Sequence, residues 1–71
     1  MSKNLSIDEI LDALGTDISN VTFFKYESKC VVQYRYVSDV PIVHESQSFS
    51  SGSFRKSLNA LYNWMKENKR I

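Results

Sequence analysis

The sequence is poor in the residues that cross-link small domains, bind metals or interrupt helices and strands. Its 71 residues include one cysteine, one histidine, one proline and two glycines. The single cysteine, Cys30, has no partner for an internal disulfide, which favours a reducing compartment. One cysteine and one histidine do not complete the four ligands of a structural zinc site. We therefore expect neither a metal nor a small-molecule cofactor.

Long apolar runs are also missing. No stretch approaches the roughly 18 apolar residues of a membrane-spanning helix, and Met1-Ser2-Lys3-Asn4 shows no apolar core of a signal peptide. The sequence thus predicts a cytoplasmic protein with no membrane partner. Nine Lys and Arg against eight Asp and Glu leave a net charge of +1. Because the total is nearly neutral, only local clusters of charge bear on a nucleic-acid partner.

Apolar and aromatic residues, in contrast, are plentiful. They make up 42% and 13% of the chain, respectively, which is typical of a folded domain and argues against disorder. At this length we expect a single domain over residues 1–71 with a modest core. Eleven serines, five asparagines and six lysines beside two alanines suggest an AT-rich coding genome, such as that of a low-GC bacterium or a phage.

The periodicity of apolar residues predicts the element order α-β-β-β-α. A capping box at residues 6–9 and apolar spacing of i, i+3, i+4 and i+7 predict a helix over 7–14, with Gly15 as its left-handed C-terminal cap. A polar connection over 16–20 follows. β-branched and aromatic residues predict strands over 21–26, 30–37 and 42–49, with turns at 27–29 and 38–41. Ser53 is predicted to cap a second helix that reaches Arg70.

Side-chain alternation indicates how these elements pack. In the second strand one side is predicted to face the helices, and it carries Cys30, Val32, Tyr34 and Tyr36. The apolar stripe of the second helix should close over it, through Phe54, Leu58, Leu61, Tyr62 and Met65. We expect an α+β, two-layer fold, a three-stranded antiparallel meander with two helices on one face. For the third strand we expect Arg35 opposite Glu45, with Ile42, His44 and Ser46 turned inward, although a one-residue slip reverses this assignment.

Cys30 and His44 are the pair that resembles a nucleophile with its base. They would approach each other if the second and third strands are neighbours. The sequence offers no glycine-rich oxyanion loop and no orienting partner, and a lone strand cysteine is more often a small buried hydrophobe. The carboxylates of Asp8, Glu9 and Asp12 are explained by capping and by the helix dipole. We therefore predict no catalytic residue and no enzyme.

The polar side of the second helix is the first candidate for a binding surface. Its cations and amides suit phosphates or an acidic protein, although every surface helix also needs a solvated side. Arg55 and Lys56 lie in the first turn, where the helix dipole disfavours cations, so something other than helix stability is expected to favour them. The residues of this side are Arg55, Lys56, Asn59, Asn63, Lys66 and Arg70.

Surplus aromatic residues form the second candidate. Trp64 lies off the apolar stripe of the second helix, and one of Phe23 and Phe24 must point away from the helices because neighbours in a strand alternate. A sheet covered on one side leaves its other side open, so these residues predict a surface for self-association or for a partner. We select Trp64 and Phe23 as its binding residues. Partly exposed aromatics closing the edge of the core are an equal alternative.

The element order, the chain length and the turn Gly52-Ser53-Phe54-Arg55-Lys56 resemble the double-stranded-RNA-binding domain. The resemblance implies RNA contact by the cations at the start of the last helix, here Arg55 and Lys56. The family's Gly-Pro-x-His loop between the first two strands is missing, since Pro41 and His44 come at the third strand. Large residues also replace much of the family's run of small residues after its lysine pair, namely Leu58, Leu61 and Tyr62.

The sequence as a whole favours a small non-enzymatic binding or regulatory module. We expect an accessory protein of the kind found in phages and mobile elements, which acts through contact with another protein or with itself as a homo-oligomer. The alternative is a nucleic-acid binder, for RNA or duplex DNA, that uses the basic side of the second helix.

Overall fold

The computed structural model describes residues 5–38 and 40–71 and confirms the α+β class. Residues 1–4, on which the signal-peptide prediction rests, and Asp39 of the predicted turn over 38–41 lie outside the described part. The elements, in chain order, are α1 (Ile7–Leu14), a 3-10 helix (Gly15–Asn20), β1 (Val21–Tyr26), β2 (Lys29–Ser38), β3 (Val43–Ser51) and α2 (Phe54–Glu67).

The predicted capping box starts α1. Ser6 Oγ accepts the Glu9 N–H at 3.2 Å, and the Ser6 N–H donates to Glu9 Oε1 at 3.0 Å, so two N–H groups without helical partners are satisfied. Gly15 ends the helix with a φ of 58°, a conformation that costs other residues energy. The polar connection predicted after it is itself helical, because a 3-10 turn carries the chain from Gly15 to Asn20.

The sheet is an antiparallel meander with β2 in the middle. The predicted pairing of Arg35 with Glu45 is wrong, since Arg35 lies opposite Ser46 and Tyr36 opposite Glu45. Since opposite residues share a face, this register turns Gln47 and Phe49 towards the helices and His44 away from them. Phe49 explains the choice: it is the one aromatic residue of β3, and burying it gains more than burying the serines beside it.

The turn between β1 and β2 has two residues, one fewer than predicted. Tyr26 pairs with Lys29, and the intervening Glu27 and Ser28 have φ values of 49° and 67°. Positive φ at both central residues is the requirement of a type I′ turn, for which Asn-Gly is the preferred sequence. Neither Glu nor Ser adopts this conformation without strain.

The double replacement Glu27→Asn with Ser28→Gly should therefore stabilise the protein. We expect the free energy of unfolding to rise by about 1 kcal/mol, because the preferred turn residues relieve backbone strain. In a domain of this size the midpoint Tm should rise by roughly 4–8 °C. Thermal unfolding followed by circular dichroism measures the change, with Ser28→Gly alone expected to give an intermediate value. A lower Tm of the double variant would show that the turn does not have this geometry.

The core lies between the helices and one side of the sheet, as predicted. From α1 it takes Ile10 and Leu14, and from α2 the fully buried Leu58, Leu61 and Met65. The sheet contributes the predicted side of β2, on which Cys30, Val32 and Tyr34 are buried and Tyr36 is half-buried. Burial of each large side chain contributes about 1.5–3 kcal/mol, so this compact cluster accounts for most of the driving force.

A serine network closes the junction of β3 and α2. Ser57 Oγ donates to the Cys30 carbonyl at 2.6 Å and lies 2.8 Å from Ser51 Oγ, which donates to the Ser53 carbonyl at 2.6 Å. Ser53 caps α2 as predicted, since its Oγ accepts the Lys56 N–H at 3.3 Å. The network satisfies hydroxyls that would be costly to bury alone, and it attaches α2 firmly to the sheet.

Candidate functional site

Among the residues of the predicted polar side of α2, all of which the structure describes, Asn59 is the one that is buried. This residue is 7% exposed, so its placement on the solvated side is wrong. The Leu5 N–H donates to Asn59 Oδ1 at 2.9 Å, while Asn59 Nδ2 donates to the Leu5 carbonyl at 3.1 Å and to the Arg55 carbonyl at 2.9 Å. Asn59 thus fastens the segment before α1 onto α2.

Arg55 takes part in the same junction. Its Nε donates to the Leu5 carbonyl at 3.3 Å, so the carbonyl that Asn59 holds receives a second donor. This contact accounts for a cation in the first turn of α2, where the helix dipole disfavours one. Arg55 is therefore explained by folding, and its position no longer requires a phosphate.

Trp64 is part of an aromatic cluster that extends the core, and it is partly buried there, in agreement with the alternative of a partly exposed aromatic that closes the edge of the core. Its ring centroid lies 5.4 Å from that of Tyr36, 6.1 Å from that of Tyr34 and 6.4 Å from that of Phe49. Aromatic rings at these distances attract one another beyond their burial. Helical spacing places Trp64 at the flank of the apolar stripe, and only the position of β3 shows that this flank is covered.

Arg70 lies beyond α2, which ends at Glu67, three residues before the predicted end. The Arg70 N–H donates to the Met65 carbonyl at 2.8 Å and the Lys69 N–H to the Lys66 carbonyl at 3.2 Å, while Lys69 has a φ of 55°. These are the features of a Schellman motif. The turn places the Arg70 guanidinium 4.2 Å from the centroid of the Tyr36 ring, a cation–π contact that takes Arg70 off the basic side.

The remaining predicted residues divide between two environments. Lys56, Asn63 and Lys66 are exposed on α2, and the Lys66 ammonium lies 5.5 Å from the Tyr62 ring centroid. Phe23 pairs with Val32 on the helix side of the sheet and stacks on Phe54 with a centroid distance of 5.8 Å. Of the two neighbouring phenylalanines, Phe24 is therefore the one that points away from the helices.

Cys30 and His44 do not meet. Cys30 is buried on the helix side, where its Sγ lies 3.9 Å from the Gly52 carbonyl as a weak donor. His44 is exposed and pairs with Val37, on the opposite side of the sheet. Seven residues of β2 separate Cys30 from Val37, which corresponds to about 23 Å. The predicted approach of this thiol and imidazole is wrong, and no nucleophile–base pair arises from them.

The open face of the sheet is the surface that the described elements leave uncovered. We define it by the residues of the three strands that point away from α1 and α2. From the observed register these are Thr22, Phe24 and Tyr26 of β1, Lys29, Val31, Gln33, Arg35 and Val37 of β2, and His44, Ser46, Ser48 and Ser50 of β3.

One end of the open face is aromatic. Phe24 lies opposite Val31 and is 41% exposed, and Tyr26, two residues along the same strand, is 64% exposed. Val31 is buried between its neighbours. Large exposed apolar side chains that adjoin one another mark interaction surfaces more often than isolated ones do.

The other end of the open face is a polar depression. It has a volume of about 570 Å³ and is lined by residues that include Asn20, Gln33, Arg35, His44, Glu45 and Ser46. These side chains provide both donors and acceptors of hydrogen bonds. The open face therefore combines apolar area with convergent polar groups.

The open face carries two cations, Lys29 and Arg35, and none of the residues that define it is a carboxylate. Glu45 also lines the depression, so of these two cations Lys29 lies farther from a carboxylate of the sheet. The carboxylates of residues 5–20, four in number, lie on α1 and the 3-10 helix, in the other layer. A contact surface with acidic groups would complement this distribution.

Comparisons with protein-family models, with curated proteins and with solved structures give no match. No family's functional residues can therefore be transferred to this chain, and the resemblance to the double-stranded-RNA-binding domain rests on element order and on the turn before α2. Within residues 5–38 and 40–71, no helix is long and apolar enough to cross a membrane. The same part of the chain contains no cluster of three or more His, Cys, Asp or Glu residues arranged to hold a metal.

The sequence predicted a contact surface on the open side of the sheet but left open which of Phe23 and Phe24 points to it. That choice depends on the length of the turn between β1 and β2. With two residues in the turn, Phe23 lies opposite Val32 on the helix side, and Phe24 lies opposite Val31 on the open face.

Proposed function

We propose that the protein is a small non-enzymatic binding module that uses the open face of its sheet to contact another protein. The observation that supports this is the combination on one uncovered face of exposed Phe24 and Tyr26 with a polar depression around Arg35 and His44. Protein interfaces typically have an aromatic centre with a polar rim, and Arg and Tyr are prominent among their strongest contacts. An accessory or regulatory role in a phage or mobile element would be exercised through this face.

The apolar residues favour protein over nucleic acid as the partner. Where β2 ends and β3 begins, Val37 and Val43 are exposed to solvent. Val40 and Ile42, in the turn between these strands, are exposed as well, and Val40 is 93% exposed. Aliphatic side chains contribute little to binding a phosphate backbone, whereas they contribute directly to a protein interface. The positive charge of Lys29 and Arg35 indicates a partner whose contact surface also carries carboxylates.

Nucleic-acid binding through α2 remains a prediction, but fewer exposed residues of α2 support it than the sequence suggests. Asn59 is buried and Arg70 lies over Tyr36, whereas Arg55, Lys56 and Lys66 remain exposed cations. A binder of RNA or duplex DNA normally gathers several phosphate contacts, and its affinity falls steeply with salt. The test below therefore includes this alternative.

The proposed function is tested by affinity capture from an extract of the source organism, with and without nuclease. Tyr26→Glu and Arg35→Glu should each reduce capture of the protein partner at least tenfold, since both side chains are exposed on the open face. Lys25→Glu is the matched control, because it makes the same change of charge as Arg35→Glu, and a larger one than Tyr26→Glu, on the other side of β1; it should leave capture unchanged. Nuclease should have no effect.

Two outcomes would overturn this assignment. The first is a partner retained equally by wild type, Tyr26→Glu and Arg35→Glu. The second is retention of nucleic acid that nuclease abolishes and that Lys56→Glu with Lys66→Glu removes, which would establish the α2 alternative instead. Circular dichroism of each variant confirms that the fold is unchanged.

A further inference from the structure

β3 is an edge strand whose outer side has no partner among the described residues. Its nine residues pair with β2 alone. From Ser46 to Phe54 the chain contains no charged residue and no proline. Monomeric proteins usually protect an edge by shortness, by lysine, by proline or by a bulge. The opposite edge, β1, has six residues including Lys25, so β3 is the less protected of the two.

The side-chain pattern of β3 is compatible with pairing to itself. Ser46, Ser48 and Ser50 lie on the open face, while Gln47, Phe49 and Ser51 lie on the helix side. Two β3 strands can pair antiparallel about a two-fold axis that is perpendicular to the sheet and passes through Ser48 or Phe49. Each residue from Ser46 to Ser50 then lies opposite an uncharged residue of the other copy. The same symmetry leaves the helices of both copies on one side of the combined sheet.

The adjacent flank of α2 offers complementary charges for the same arrangement. Ser57 lies 2.8 Å from Ser51 through their hydroxyls, and the Trp64 ring lies 6.4 Å from the Phe49 ring, tilted by 57°, so this flank of α2 lies over β3. A helix turns by about 100° per residue, so the next positions around α2, on the side of this flank away from the core, are Ala60, Glu67 and Lys56. All three are exposed. Antiparallel α2 helices related by the two-fold axis would bring Lys56 of one copy towards Glu67 of the other.

For the partner contact proposed above, area gives an additional reason for two copies to act together, although edge pairing does not depend on it. Three strands spaced about 4.8 Å apart and about 20–30 Å long present an open face of roughly 400 Å². A stable protein interface covers about 800 Å² on each partner. Two sheets joined at β3 would present a continuous face of roughly that size.

We infer that two copies of this chain associate through their β3 edges, forming a six-stranded antiparallel sheet with four helices on one side. This inference goes beyond the proposed function and does not rest on it, because edge pairing needs no partner on the open face. It specifies the kind of partner that the edge accepts, which is a second β3 strand in antiparallel orientation.

Light scattering after gel filtration tests the inference over a range of concentrations. The wild-type chain of 8.2 kDa should elute with twice that mass, and Ser48→Lys should raise the dissociation constant at least tenfold, because the two-fold axis brings the two new ammonium groups close together. Thr22→Lys adds the same charge to the same face at the β1 edge and should remain dimeric. Glu67→Lys should weaken the dimer, and adding Lys56→Glu should restore it.

Amide hydrogen exchange provides a measurement that does not depend on how well a variant folds. Amides of β3 that point away from β2 should exchange more slowly above the dissociation concentration of the wild type than below it, while those of β1 should not change. A wild type that stays monomeric at millimolar concentration would overturn the inference. The inference would also be overturned if Thr22→Lys disrupts the dimer and Ser48→Lys leaves it intact. Since Tyr26 lies on β1, at the opposite edge of the sheet from β3, loss of partner capture by Tyr26→Glu with an intact dimer separates the two proposals.

Discussion

Replacing Leu61 by alanine should lower the free energy of unfolding by about 3–5 kcal/mol, which is the cost of such a truncation at a fully buried site. Leu61 has no exposed surface and lies in the core cluster with Ile10, Leu14 and Tyr34. The loss has two parts, the transfer of the removed methyl groups to water and the cavity that rigid neighbours cannot fill. A domain of this length has a total stability of roughly 4–10 kcal/mol, so this one truncation would remove about a third of it or more.

Urea denaturation followed by circular dichroism measures this loss. Leu61→Met is the matched control, because it keeps nearly the same volume and should cost less than about 1.5 kcal/mol. If Leu61→Ala costs less than 1 kcal/mol in the same experiment, α2 does not pack against the sheet as described.

Replacing Asn59 by alanine should lower the free energy of unfolding by about 2 kcal/mol. The side chain makes three hydrogen bonds, two of them to the backbone of Leu5, and each contributes roughly 1 kcal/mol. Alanine returns about 0.5 kcal/mol through its higher helix propensity. What remains is the cost of leaving the Leu5 N–H and carbonyl without their partner.

Asn63 is the matched control for this prediction. It lies one turn along α2 and is exposed, so Asn63→Ala should change stability by less than 0.5 kcal/mol, in the stabilising direction. Amide exchange locates the effect: in Asn59→Ala the Leu5 N–H should exchange much faster at the same overall stability. Equal effects of Asn59→Ala and Asn63→Ala would mean that Asn59 does not hold the segment before α1.

The local elements follow closely from the sequence. The predicted bounds of the first helix and the first strand agree with α1 (Ile7–Leu14) and β1 (Val21–Tyr26), and both predicted N-caps make the expected hydrogen bonds. The helix-facing side of β2 was also predicted correctly. These features depend on residues within a few positions of one another, for which spacing and capping chemistry are sufficient.

The predicted binding residues were placed less accurately, for a physical reason that Asn59 and Arg70 illustrate. Helical periodicity assigns a residue to one side of a helix but does not show what covers that side. Leu5, which is 54 positions away from Asn59 in sequence, covers one flank of α2. Tyr36 receives Arg70 after the chain turns at Lys69. Both contacts join distant segments, so no local pattern reports them.

The sequence alone determined the order of helices and strands, the two-layer class and the apolar stripes that meet in the core, because side-chain spacing and backbone preference act over short distances. The tertiary structure alone decided the register of β3, the burial of Asn59, the packing of Trp64 against the sheet and the separation of Cys30 from His44. Each of these depends on which distant segments share the small core, and a shift of one residue in a strand exchanges its two faces. The open side of the sheet was already a candidate surface in the sequence, and for the same reason only the tertiary structure decided which residues lie on it.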